Sequence, residues 1–535
     1  MSLLIKCKGG IEMKKNGIVK MLGTVTMLTL LTVTAFTACK PDFPIDLPNS
    51  EASEQEYEEV QSESVPEESE TVVEAEILVP KMSLKNVSLF DYEGMMYARG
   101  NYGLFVTDEL MQGPLKDSLE SWNKTQTESM EAEFESVKSC ARADYADNPE
   151  YFFGAYEISS DLYLKRVDSK VLSVEEDYYF FSGGIHGSST YGGYTWDVKT
   201  GKRLALEDVI TDVSRIPALL AEKLSYKYQD ITIFADSPQQ VFEEYLNPES
   251  MLEFTWTLEH DGIVFYFGHY EIGSYADGLQ QLKILYAEAP ELFQERYLPE
   301  DTSNYVTHFN PSDGVDLDVD GDNITENACV ICYGTAEGDA CDYYSVMFEG
   351  NMLDYESYFY SADTYLVKRN GAYYIYVETH HDNDHRNFTV YSLNAGTVEQ
   401  VTSWEGHLHD FTNTEEFAIR TVADVLGTHT IESICTIGED GCPIYLEEDY
   451  KVGGGSVITK KELDVTLIDE EGNAVGTTTC PVGTELFFDR TDCATYMIFR
   501  MEDERRCILS VTPGWPPTVN GFPAEECFEE LLYAG

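Results

Sequence analysis

Between Leu115 and Ala141 the apolar residues Leu115, Leu119, Trp122, Met130, Phe134, Val137 and Ala141 recur at three- and four-residue spacing or its multiples. That spacing describes one face of a long amphipathic helix, opened by Gly113-Pro114. From Phe152 to Phe181 the pattern changes to alternation, in YEISSDLYLKRV and KVLSVEEDYYFF, which is the period of antiparallel strands. A helix with one apolar face, followed by such strands, has to lay that face on a sheet. The expected class is therefore α+β, a helix on an antiparallel sheet rather than a βαβ repeat. Strands are also expected over Met82–Val106, and helices over Ile216–Tyr228 and Pro238–Leu246. Asp261-Gly262, inside Glu259-His260-Asp261-Gly262 and between two apolar runs, predicts a tight hairpin.

The stretch Tyr178–Asp208 organises this first unit. An aromatic strand ends at Phe181, and a glycine- and serine-rich loop, Ser182–Gly193, carries His186 at its centre. A second strand then leads into the turn Lys199-Thr200-Gly201-Lys202. A loop of that length on a sheet is where binding surfaces sit. Gly183, Gly184 and Gly187 let its backbone approach either a partner or the protein's own core.

The runs SGGIHG…YTWDVKTGKRLALEDV and FTWTLEHDGIVFYFGHYEIGSYADGLQQLKILYAEAPELF resemble the RsiV-like extracellular domain. That domain is the lysozyme-sensing ectodomain of an anti-sigma factor and occurs also in PdaC-type peptidoglycan deacetylases. The resemblance covers roughly residues 77–298. It implies a ligand, lysozyme or a peptidoglycan-related molecule, held by the loops Ser182–Gly193 and Tyr270–Gly278. Ser182, His186, Tyr191, Tyr270 and Tyr275 are the contact residues it suggests. Ser274 stands where the family commonly has proline, so the second loop is expected to be less rigid here.

The chain holds 35 Lys plus Arg against 96 Asp plus Glu, a formal net charge of −61. Such a surface repels nucleic-acid phosphates and anionic lipid, and attracts cationic proteins and divalent ions. Lys14, Lys15 and Lys20, an uncharged run Met21–Ala38, and Cys39 form the pattern of a bacterial lipoprotein signal over residues 1–39, with Cys39 as the lipidated residue. A single N-terminal transmembrane anchor is the alternative. Translation is expected to start at Met13, because Lys8-Gly9-Gly10 can be encoded by a ribosome-binding sequence. Few residues precede the apolar run, so no anti-sigma segment is expected. Residues 40–80, dense in Glu and Ser, predict a disordered acidic tether at the outer face of the membrane.

Beyond the first unit (81–298), a β-rich unit is expected over 311–450 and a small SH3-like β-barrel over 453–535, after the hinge Gly453-Gly454-Gly455-Ser456 and with a terminal helix Pro523–Leu532. The run from Asp318 to Glu326 resembles the calcium loops of cell-surface repeat proteins. Asp318, Asp320, Asp322 and Glu326 are its candidate Ca²⁺ ligands, against the alternative of an acidic turn. Asn370-Gly371 is a hairpin turn. His380-His381-Asp382-Asn383-Asp384-His385 lies between two strands and reads as a solvated turn rather than a metal centre.

Ten cysteines follow Cys39, six of them from Cys435 onward, and outside the membrane they can staple a small domain. Cys329-Val330-Ile331-Cys332 has redox-motif spacing but lies in a strand. No nucleophile elbow and no zinc-deacetylase module is present, and Glu175, Glu176 and Asp177 alternate across a strand, so catalysis is not expected. The resulting expectation is a non-catalytic envelope lipoprotein that binds lysozyme, another cationic envelope protein, or peptidoglycan. A peptidoglycan-acting enzyme and an extracellular scaffold are the alternatives.

Overall fold

The computed structural model describes residues 80–107, 113–152, 154–334 and 340–533. The signal, Cys39, Met13 and almost all of the tether lie outside the described residues.

The apolar stripe of the helix Pro114–Asp147 is buried at Leu115, Leu119, Met130, Phe134, Val137 and Ala141, as the spacing requires. It packs on one face of a five-stranded sheet: β1 (Ser83–Tyr92), β2 (Met96–Val106), β3 (Tyr156–Val167), β4 (Val171–Phe181) and β5 (Ser188–Asp197), in that order. The pairs are antiparallel except β2 with β3, which run parallel from Ala98↔Tyr156 to Tyr102↔Ser160. The helix is thus the crossover of one βαβ unit, a connection that the alternation on its two sides does not reveal. A parallel pair needs a crossover of a dozen or more residues, and the helix supplies it.

The opposite face of this sheet meets a second layer. β6 (Thr255–Leu258), β7 (Gly262–Phe267) and β8 (Gln280–Leu285) form an antiparallel sheet with Leu258 opposite Ile263, so the Asp-Gly hairpin stands as expected. The helices Ile216–Lys227 and Pro238–Glu243 cover it through Ile216, Leu220, Leu224, Val241 and Phe242. Between the layers, fully buried charges compensate one another. Lys165 Nζ lies 3.1 Å from both Glu175 Oε2 and Glu259 Oε1, and Lys283 Nζ lies 2.8 Å from Glu259 Oε2. Burial disfavours the Glu259 carboxylate, but Lys283 and Lys165 hold its pKa well below the usual range.

The β-rich remainder begins earlier than Pro311. β9 (Tyr305–Phe309) is the edge of a sheet with β14 (Ser361–Arg369), β15 (Ala372–His380), β16 (Arg386–Asn394) and β17 (Thr397–Glu405). A second sheet, β10 (Val315–Leu317), β11 (Glu326–Gly334), β12 (Cys341–Phe348) and β13 (Asn351–Phe359), packs on it through Phe309, Val330, Tyr344, Val346, Ile375 and Tyr391. Asn370 (φ 50°) and Gly371 (φ 83°) turn β14 into β15. On the other face of the β9–β17 sheet, Val306, Tyr376, Phe388, Leu408 and Ile419 share a core.

The strands after Gly453 do not close into a barrel. Tyr450–Val452 pairs both with Thr428–Ile437 and with Glu485–Thr491, so one open sheet runs across the glycine hinge from His407–His409 to Ala474–Cys480. The terminal helix is a single turn, Ala524–Cys527, because Phe528 is extended and bridges Thr459. The ten described cysteines are thiols, Cys140 on the long helix and the other nine in the β-rich remainder, and burial raises the Cys332 and Cys507 pKa values to about 12. No helix among the described residues is long and apolar enough to cross a membrane.

Candidate functional site

The β4–β5 ladder continues to Phe180↔Ser188, so the expected long loop is a short turn whose tip is Ser182–Gly187. Residues 188–193 belong to β5: Ser188, Ser189 and Thr190 pair with the aromatic end of β4 (Phe180, Tyr179, Tyr178), and Tyr191, Gly192 and Gly193 with Asp177, Glu176 and Glu175. Of the three glycines, Gly183 and Gly187 serve close packing within the protein, whereas Gly184 faces open space. A Cβ on Gly187 would lie 2.4 Å from the Tyr179 ring, and one on Gly183 (φ 87°) 2.4 Å from Tyr156 Oη.

This turn meets the second loop, which follows β7. The Tyr275 ring is sandwiched between two imidazoles: His186 at 4.0 Å and 28°, and His269 at 4.2 Å and 14°. Tyr275 Oη donates to the Gly187 carbonyl at 3.2 Å, and His269 Nδ1 lies 3.3 Å from the Ser189 carbonyl. The two stretches are therefore locked together by ring stacking and backbone contacts. Around the stack the surface is apolar and open: Ile185 is 100% exposed and Tyr270, at φ 67°, is 58% exposed. Ser182 and His186 are exposed at the same turn. Burial lowers the His269 pKa, with the Ser189 carbonyl opposing and His186 adding to the effect.

Two expectations change. Tyr191 is not part of this surface: it is buried, packs on Tyr266 at 5.0 Å and donates its hydroxyl to Asp313 Oδ2 at 2.6 Å. Nor does Ser274 leave its loop slack. Its N–H and hydroxyl both donate to Asp277 Oδ2, at 2.7 and 2.6 Å, and this cap replaces the stiffness a proline would supply. His269 and Ile185 were not singled out from the sequence. An isoleucine inside a run of glycines and serines was the available signal.

The strand β4 that leads to this turn also carries an acidic cluster. Glu175 and Asp177 share one face of β4, while Glu176 faces the long helix, accepting from Gln126 and Ser160. Asp177 accepts from Asn310 Nδ2 at 2.8 Å and its other oxygen has no hydrogen-bond partner. Burial, then the charges of Asp313, Glu175 and Asp161, raise its pKa to about 8. Burial likewise raises Asp161 and Asp313 to about 6.

In the calcium-like run, the carboxylates of Asp318, Asp320 and Asp322 converge within 4.8 Å of one another. Gly321 (φ 79°) and Asn323 (φ 66°) make the turn, and their N–H groups donate to Asp318 at 2.7 and 3.1 Å. Glu326 does not join them. It lies in β11 and accepts from the Val319 N–H at 3.0 Å. Three carboxylates fall short of the six to eight oxygens Ca²⁺ requires, so backbone carbonyls or water would complete the set.

Residues 207–287 match the family described as "Protein of unknown function (DUF3298)". That span holds both short helices, β6–β8 and the His269–Gly278 loop, but not the Ser182–Gly187 turn. Among solved structures, the chain is similar to a DUF3298 family member from Bacteroides fragilis NCTC 9343, at 17% identity over 41% of this chain and 96% of that one, with a TM-score of 0.31. It is also similar to a DUF3298 family protein from Pseudomonas aeruginosa PAO1, at 15% identity over 42% of this chain and 98% of that one, with a TM-score of 0.28. No curated protein matches the sequence.

Proposed function

We propose that this chain, which carries a DUF3298 domain at 207–287, is a non-catalytic envelope protein that docks a cationic extracellular protein through the His186–Tyr275–His269 stack and the exposed Ile185 and Tyr270 beside it. The observation that carries this reading is the stack itself. It presents a rigid aromatic and apolar surface whose ordering entropy is already spent, which is how an anchor patch gains affinity. Lysozyme is the partner suggested by the RsiV-like resemblance, and the net charge of −61 suits it. Cys39 would tether the protein by lipid to the outer face of the membrane, and Asp318, Asp320 and Asp322 would hold a structural Ca²⁺.

Calorimetric titration of the purified protein with lysozyme, at low and at moderate salt, tests the reading. One-to-one binding is expected to persist in salt and to weaken at least about tenfold in Tyr275→Ala, a loss of about 1.4 kcal/mol. Val475→Ala, on a distant exposed strand position, should leave it unchanged. Binding that disappears with salt would reduce the interaction to charge attraction between an acidic and a basic protein. Binding to peptidoglycan fragments in place of lysozyme would keep the surface and replace the ligand.

A further inference from the structure

The histidine-rich run between β15 and β16 is two different things in three dimensions. His381 and His385 sit on the turn, where the His381 N–H donates to the His385 carbonyl at 2.8 Å and Asn383 takes φ 59°. His380, one residue earlier, turns the other way, into a cluster no stretch of sequence contains. Its Nε2 lies 2.9 Å from Asp363 Oδ2 and 3.4 Å from Glu378 Oε1. Asp363 comes from β14, opposite β15 in the ladder, and Glu378 is fully buried. The three donor atoms lie within 4.8 Å of one another.

These separations are those of ligands around one ion. Donors about 2.0–2.2 Å from a tetrahedral metal stand about 3.4 Å apart, and closer at an octahedral one. A further imidazole, His308, reaches Asp363 from β9 but stands outside the three residues whose donor atoms all lie within 4.8 Å of one another. His308 Nε2 is buried without a hydrogen bond, 3.6 Å from Asp363 Oδ1, with its ring held between Tyr163 and Tyr365 at 4.9 and 4.6 Å. The supporting contacts are also in place. His380 Nδ1 is 3.0 Å from Ser361 Oγ, which leaves Nε2 to point at the carboxylates, and the Leu408 N–H donates to Glu378 Oε2 at 2.7 Å. Hydrogen-bonding the second ring nitrogen is how metal-binding histidines are oriented.

One cation already touches the cluster. Arg386 Nη1 lies 3.0 Å from Glu378 Oε1, 3.4 Å from His380 Nε2 and 3.1 Å from His407 Nδ1, and His407 Nδ1 is itself 2.7 Å from Glu378 Oε1. The guanidinium neutralises Glu378 in the protein as it stands, and a bound ion would take over that role by displacing it.

We propose that Asp363, Glu378 and His380 form a binding site for a divalent first-row transition-metal ion, with Arg386 as the counterion that the metal displaces. An imidazole beside two carboxylates, with water completing the set, favours Zn²⁺ or its neighbours over Ca²⁺, which prefers oxygen alone. The ion would tie β14 to β15, beside the point where Tyr163 of the first sheet packs on His308.

The test is calorimetric titration of Zn²⁺ into the chelator-treated, dialysed full chain, with Ca²⁺ in excess to occupy oxygen-only sites. One Zn²⁺ per chain is expected. His380→Ala should weaken binding by about 100-fold or more, and Ser361→Ala, which only orients His380, by about tenfold. His385→Ala, on the turn, should change nothing. Arg386→Gln should strengthen binding, since it removes the competing cation. That variant and Ser361→Ala decide the matter if the ligand variant fails to fold. No Zn²⁺ bound, or binding that survives His380→Ala and is indifferent to Arg386→Gln, would overturn the site and leave the cluster as an ion network of Arg386 and histidine with two carboxylates.

Discussion

Asp177 is the residue whose replacement most directly tests the electrostatics of the acidic cluster on β4. Its carboxyl has one hydrogen bond, from Asn310, and one oxygen without a partner, and it faces Asp313, Glu175 and Asp161. The folded pKa is raised from 3.8 to about 8, so between those values the folded protein keeps a proton that the unfolded chain has released. The folded state then binds more protons than the unfolded state, and stability must fall as pH rises. The slope for one proton is about 1.4 kcal/mol per pH unit. From about pH 6 to about pH 8, Asp177 alone should remove about 2 kcal/mol, since the slope halves as pH reaches the folded pKa. Asp177→Asn has no proton to lose, keeps an acceptor for Asn310 and offers an amide N–H where the unpartnered oxygen stood. Its stability relative to the natural protein should therefore grow by about 2 kcal/mol across that interval. His380 adds a slope of the same sign to both proteins. Burial lowers its pKa, but Asp363 and Glu378 outweigh it and raise the value to about 9. Urea unfolding of the two proteins at three pH values, with equal m-values, measures the difference. Parallel profiles would refute the reasoning, because they would mean that Asp177 is ionised in the folded protein throughout.

The other predictions concern buried charge and the metal-like turn. Lys165→Met leaves Glu175 and Glu259 short of a cation among residues 1–4% exposed, and should cost about 3–5 kcal/mol in urea unfolding. The double change Lys165→Met with Glu175→Gln should recover part of that loss, and failure to recover would show that packing and not charge sets the cost. If the Asp318 turn holds Ca²⁺, the ion at a hundredfold excess over its Kd should stabilise the protein by about 2.7 kcal/mol, read as a rise in Tm. Asp318→Asn should abolish the rise, whereas Glu326→Gln should reduce it little, since Glu326 is occupied by the Val319 N–H.

Much of the fold was legible because it follows from local chemistry. Six of the seven apolar positions read at helical spacing from Leu115 to Ala141 are buried in one helix, and Trp122 is half-buried beside them. Asp261-Gly262 and Asn370-Gly371 sit in the hairpin turns their backbone preferences demand. Both stretches of the candidate site could be named because glycine, serine and aromatic residues cluster there. That they touch through His186, Tyr275 and His269 could not be read, since stacking depends on two loops of different sheets arriving at the same place.

The same limit explains the errors. Tyr191 was a contact residue suggested by the family resemblance within the expected loop Ser182–Gly193, yet β5 takes in the last six residues of that loop, and the Tyr191 side chain falls on the buried face. The parallel pairing of β2 with β3, the open C-terminal sheet and the Asp363–Glu378–His380 cluster are all relations between segments far apart in the chain. By itself the sequence determined the α+β class, the long helix, the hairpin turns and the acidic surface, because each depends on near neighbours and on composition. Only the tertiary structure decided which strand pairs with which, which side chains are buried, and which of His380 and His381 turns inward. Those outcomes depend on strand register, and a shift of one residue sends a side chain to the opposite face.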